Sequence, residues 1–89
     1  MNAWATLESL RKANARHRRG WRCREATVSD ALRDLQAELA ELTLRPGDLD
    51  ELADVLVVAF HLAMIQGWTL AQVDQAMVAK LRSRFTSLA

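Results

Sequence analysis

Two helix-length segments joined by nothing more than Arg45-Pro46-Gly47-Asp48 constrain this chain more than any other feature. Proline presets one backbone torsion and glycine relaxes the next, so the four residues read as a tight turn. Upstream, Val28, Leu32, Leu35, Leu39 and Leu42 recur at alternating four- and three-residue steps, the spacing of an inward helical stripe. Thr27 or Ser29 is suited to cap that helix. Downstream, Asp48 or Asp50 is suited to cap a third helix, from about 49 to 66. Two helices with so short a link must fold back on each other as an antiparallel hairpin.

The flanking segments also read as helices. Residues 2 to about 18 place Trp4, Leu7, Leu10 or Arg11, and Asn14 on one face, and Gly20 ends that helix. Gly67 suits the left-handed position after the third helix, and Thr69 with Gln72 forms the capping box of a fourth that runs to about Phe85. No segment alternates apolar and polar residues over a strand's length. The expected fold class is all-α, a four-helix bundle subunit built around the central antiparallel hairpin. With 89 residues, 51% of them hydrophobic, there is material for one core and not two. A single domain over 1–89 is expected, with a basic N-terminal helix and arm over 1–26 and the hairpin and last helix over 27–86.

The third helix is apolar nearly all round, from Leu52 and Ala53 through Val55, Leu56, Val57 and Val58 to Met64 and Ile65. A helix of that kind is buried on more than one side, which predicts a dimer or higher oligomer with this helix near the interface. Its longest apolar run, Val55 to Ile65, is interrupted by His61 and too short to span a bilayer. With no secretory signal read at the N-terminus and Cys23 the only cysteine, excluding an internal disulfide, a cytoplasmic protein is expected.

Four carboxylates carry the chemistry. Glu38 and Glu41 are three residues apart on the second helix, and Glu51 and Asp54 three apart on the third, so each pair shares a face. In an antiparallel hairpin, residues opposite each other have a constant sum of positions. The pairs Glu41–Glu51 and Glu38–Asp54 share that sum, so each should face the other across the turn. Helix axes about 8–10 Å apart allow all four arms to meet. Acids at helical spacing more often form only a solvated face; two pairs in register beside so apolar a helix point to a site. Oxygen-only ligands select a hard cation, magnesium where phosphate oxygens complete the shell, with manganese able to substitute. The chemistry suggested is phosphoanhydride hydrolysis, with a carboxylate taking the proton of the attacking water.

The series Glu38-Leu39-Ala40-Glu41-Leu42, Glu51-Leu52-Ala53-Asp54-Val55-Leu56, Gly67, and Lys80 through Arg84-Phe85 resembles the MazG-like division of the all-α nucleoside triphosphate pyrophosphohydrolases. The resemblance covers about residues 28–85. It implies a magnesium-dependent enzyme that cleaves a nucleoside triphosphate between its α and β phosphates, working as a homodimer or homotetramer, often in nucleotide-pool housecleaning. It implies that Glu38, Glu41, Glu51 and Asp54 are the metal ligands and catalytic acids, and that Lys80 and Arg84 meet phosphates. Their four-residue spacing puts those two on one helical face, where they also suit compensation of the helix C-terminus. Three features depart from the family pattern. Ala37 stands where a glutamate often precedes Glu38, Val78 stands where an asparagine often precedes the lysine, and the link between the acidic pairs is short. The loss of the asparagine bears on nucleotide recognition more than on metal binding.

Residues 1–24 hold seven Lys or Arg against Glu8 alone, while 25–89 hold five against ten acids. The basic segment comprises Arg11, Lys12, Arg16, Arg18, Arg19, Arg22 and Arg24, with His17 and Trp21 among them. One reading is a wall over the acidic site, where Arg22 binds triphosphate oxygens and Trp21 stacks on a base. Another is a solvated surface balancing the acidic helices. A nucleic-acid module lacks motif support. His61, seven residues beyond Asp54, lies on nearly the same face and is a candidate phosphate contact, although a lone histidine in an apolar helix is more often a hydrogen-bonded core residue. The alternatives to a triphosphate substrate are a phosphoribosyl-nucleotide, or no catalysis at all, in a helical module that binds nucleic acid or an acidic partner through its basic arm.

Overall fold

The computed structural model describes residues 2–17 and 27–85, with side chains from 14 to 17 left aside. Among the described residues there are four helices and no strand: α1 (Ala3–His17), α2 (Val28–Leu44), α3 (Leu49–Ile65) and α4 (Leu70–Phe85). The all-α class is therefore observed. Gly20, Trp21, Arg22, Cys23 and most of the basic arm fall outside the described residues, as does the side chain of Asn14.

Each helix is bounded by local hydrogen bonds that its sequence supplies. The Asn2 side chain accepts from the Ala5 amide at 2.8 Å and opens α1. Thr27, rather than Ser29, caps α2 by accepting from the Asp30 amide at 3.1 Å. Asp48, rather than Asp50, caps α3 by accepting from the Asp50 amide at 2.9 Å. At the hairpin turn the Asp48 amide donates to the Arg45 carbonyl at 3.0 Å, closing the tetrapeptide. The capping box of α4 is reciprocal: the Thr69 amide donates to Gln72 Oε1 at 2.8 Å, and the Gln72 amide donates to Thr69 Oγ1 at 3.2 Å.

The end of α3 is a Schellman motif. Gly67 has φ 81°, its amide donates to the Met64 carbonyl, and the Trp68 amide donates to the Ala63 carbonyl, both at 3.0 Å. Beyond this motif the chain turns sharply, and α4 leaves at a bend of 118° to α3.

Packing is concentrated in the hairpin, where α2 and α3 lie against each other, and α1 adds to it by packing on α3. The core holds Trp4 and Leu7 of α1, Ala31 of α2, and Val58, His61 and Ala63 of α3. Trp4 meets the ring of Phe60 edge-on at 5.4 Å. Arg11 is half-buried whereas Leu10 is 48% exposed, so Arg11 occupies the packed side of α1 at that point. No described residue of α4 is buried. Leu32 and Leu39 of α2 and Leu49, Leu52 and Leu56 of α3 are each at least 43% exposed, a leucine stripe without cover in one chain. Among the described residues no single helix is long and apolar enough to cross a membrane.

The two described hairpin-bounding glycines should respond oppositely to substitution. A Cβ at either meets no atom within 4 Å, so only the backbone conformation discriminates them. Gly67→Ala forces a side chain into the left-handed region and is expected to cost roughly 1–2 kcal/mol, read as a lower urea midpoint with unchanged slope. Gly47→Ala, at a position without positive φ, is expected to leave the midpoint unchanged or raise it by up to about 1 kcal/mol.

Candidate metal centre

The hairpin brings the four sequence-predicted acids to one point. A carboxylate oxygen from each of Glu38, Glu41, Glu51 and Asp54 lies within 4.8 Å of the others. Glu38 and Glu51 are half-buried between the helices, and Glu41 and Asp54 stand exposed at the rim. The cause is the register. The covered side of α2 is Val28, Ala31, Leu35, Glu38 and Leu42, not the whole expected stripe, since Leu32 and Leu39 are exposed; with the turn closed, this side packs on α3 and the acids lie opposite one another.

This arrangement is electrostatically unfavourable by itself. Glu38 Oε2 and Glu51 Oε2 are buried without a hydrogen-bond partner. Burial pushes the Glu38 carboxyl above the ordinary glutamate range, and the charges of Glu41, then Asp54, push it further. Burial raises Glu51 likewise, with Glu41 the leading charge and Arg45 acting in the opposite sense. Across the hairpin, Glu38 thus feels Asp54 more than Glu51, and Glu51 feels Glu41, in keeping with the facing pairs that the constant sum requires.

Arg45 is the residue that motif reading passed over. Its guanidinium lies 3.8 Å from Glu51, with the arginine side chain 71% exposed. An ion pair so open to solvent is weak, and one cation does not balance four carboxylates. Together with Leu44, Arg45 flanks Glu41 and Glu51 in a shallow cleft at the turn. The signal was its place at the end of α2, about one helical turn from Glu41.

The other expected site residues are not gathered here. His61 is 3% exposed and lies about 10 Å farther along α3 than Asp54. Burial, followed by the nearby charge of Arg11, holds its imidazole below the ordinary histidine range. Lys80 and Arg84 are exposed on α4, where Lys80 borders an apolar groove formed by Trp68, Val73, Ala76 and Met77. Trp21 and Arg22 lie outside the described residues.

The donor set fits a hard divalent cation: four oxygens, no sulfur or nitrogen, two buried oxygens in want of a positive partner, and arms from two rigid helices. No family model, curated protein or solved structure matches the chain.

The repulsion sets a pH dependence. A carboxyl whose folded pKa is raised binds its proton more tightly when folded, so its penalty is full above the folded pKa and is relieved as pH falls toward the unfolded value of 4.5. Glu38→Gln is therefore expected to stabilise the metal-free protein at pH 7 by a few tenths of a kcal/mol, the scale of solvent-screened like-charge pairs. The advantage over wild type should shrink between pH 7 and 5. The comparison must be made between these two proteins at each pH, because His61, with its lowered pKa, destabilises the fold as pH falls below 6.5. Thermal melts in chelator measure the difference.

Proposed function

We propose that this chain is a magnesium-dependent nucleotide pyrophosphohydrolase that cleaves a nucleoside triphosphate, a deoxynucleotide among the candidates, into monophosphate and pyrophosphate. The observation that carries the reading is the convergence of Glu38, Glu41, Glu51 and Asp54 within 4.8 Å across a rigid hairpin, with two oxygens buried and unpartnered. Solvated acids repel and point apart. These are held together by the packing of the helices that bear them, at a cost that a cation would reverse.

In this reading the four carboxylates hold one or more magnesium ions, with manganese able to replace them. The bound ion supplies neutralisation of phosphate charge and acidification of a water molecule. A carboxylate oxygen of the set accepts the proton of the attacking water. Water adds at phosphorus, the bond between the α phosphorus and the bridging oxygen breaks, and pyrophosphate departs. Lys80 and Arg84 are the proposed phosphate contacts, with Arg22, Trp21 and His61 as further candidates for substrate binding. The MazG-like resemblance of the two acidic motifs supports the same reaction class. The enzyme is proposed to be cytoplasmic and to act as a homodimer or homotetramer in which the leucine stripe of the hairpin and the apolar side of α4 are covered.

Purified protein incubated with magnesium and a panel of ribo- and deoxynucleoside triphosphates and a phosphoribosyl-nucleotide is expected to release pyrophosphate from at least one. Chelation should abolish release, and Glu38→Gln or Asp54→Asn should reduce it by at least about 100-fold, the scale of losing a principal electrostatic stabiliser. Absence of turnover with every nucleotide, in protein whose helicity is intact, would overturn the enzymatic reading. A salt-sensitive shift with DNA or RNA that survives both substitutions would favour the non-enzymatic module.

A further inference from the structure

The described residues form a second cleft, away from the acidic cluster. It opens where the start of α1 lies against the junction of α3 and α4, with a volume of about 600 Å³. That is within the roughly 300–1,000 Å³ of small-molecule sites. Met64, on its α3 side, stands ten residues beyond Asp54, about 15 Å along the helix. A small ligand held here does not reach the acids.

The aromatic walls of the cleft are fixed by the fold. Trp4 is buried and held edge-on against Phe60. Trp68 is anchored through its amide, which closes the Schellman motif on the Ala63 carbonyl, yet the residue is 54% exposed. An indole set on a rigid turn and left half in water gains from a flat apolar group laid against it.

The charges of the cleft are opposed and unspent. Glu8 and Arg11 both line it from α1, three residues apart and so on one face. Neither forms an ion pair among the described residues. Arg11 is half-buried, so its charge is screened less than that of Glu8, which is exposed. Leu70 and Ala71 border the cleft as well, and the first amides of a helix have no partner within it. A plain anion would meet the repulsion of Glu8, and a plain cation that of Arg11. A molecule bearing both charges on a flat apolar body satisfies every group.

We propose that this cleft is a binding site for a small aromatic zwitterion of the α-amino acid type. Its carboxylate meets Arg11 and the first amides of α4, its ammonium group meets Glu8, and its ring lies against Trp68. The site is independent of the pyrophosphohydrolase reading and of any metal.

Equilibrium dialysis of radiolabelled L-phenylalanine against the full chain, in chelator, tests the proposal without turnover. Saturable binding of one molecule per chain is expected. Phenylalaninamide, which lacks the carboxylate, and hydrocinnamate, which lacks the ammonium group, are each expected to compete at least about three-fold less well than unlabelled L-phenylalanine. Arg11→Gln should weaken binding roughly tenfold, the scale of a hydrogen bond to a charged group. Glu8→Gln, at an exposed position, should weaken it about three-fold. Absence of saturable binding to wild type overturns the site. Displacement by hydrocinnamate or phenylalaninamide as effective as by L-phenylalanine overturns the zwitterion. Binding unchanged by Arg11→Gln, in protein whose helicity by circular dichroism is intact, overturns the cleft as its place. The analogue comparison uses wild type alone, so it decides even where a variant fails to fold.

Discussion

The antiparallel register of α2 and α3 governs the rest of the molecule. It is set by two things that do not involve the acids: the closed turn at Arg45 to Asp48 and the packing on α3 of the covered apolar side of α2, Val28, Ala31, Leu35 and Leu42. Once both are met, Glu38 and Glu51 are committed to the half-buried seam, and Glu41 and Asp54 to its rim. A slip of α3 by one turn would separate the charges, but it would break the turn and misalign the apolar contacts. Hydrophobic packing therefore carries an electrostatic burden, and the buried oxygens of Glu38 and Glu51 are where it is concentrated. A ligand that binds only the folded arrangement returns that energy as stability, which couples cation binding to folding by mass action.

Much of this geometry was legible in the sequence, because it depends on short-range rules. The constant sum of facing positions follows from antiparallel helices and a link too short to permit another register. The Thr69–Gln72 capping box and the left-handed Gly67 are likewise local: each is decided by residues within one turn, and each was found where the pattern put it. The choice between Thr27 and Ser29, or between Asp48 and Asp50, was not legible. Either oxygen has the right chemistry, and only the position of the first helical amide selects between them. Arg45 was read as part of a turn, since a turn residue's side chain has no periodicity from which a direction can be inferred.

The disposition of α4 was beyond such rules. Periodicity and caps state that a helix exists and where it ends; they do not state the direction in which it leaves a Schellman motif. That direction is set by the backbone torsions of Gln66 through Trp68, whereas the expected bundle rests on four helical segments and no strand, which say nothing of where α4 points. In one chain the apolar side of α4 is not hidden: Trp68, Met77, Leu81 and Phe85 are each more than half exposed. A helix of 16 residues with so little tertiary support is marginal in water by itself.

The distribution of charge along the chain bears on what the acidic cluster attracts. Residues 28–66 carry eight acids against Arg33 and Arg45, which pair locally with Asp30 and Glu51, whereas α4 carries Lys80, Arg82 and Arg84 against Asp74, so most of the opposite charges lie on separate elements. Local pairing at helical spacing would have neutralised the acids within each helix, where one pair adds only a few tenths of a kcal/mol. Segregation leaves the acidic cluster at a strongly negative potential, which attracts a divalent ion and repels a bare polyphosphate. The ion comes first, and the phosphate needs more positive charge than the ion alone provides.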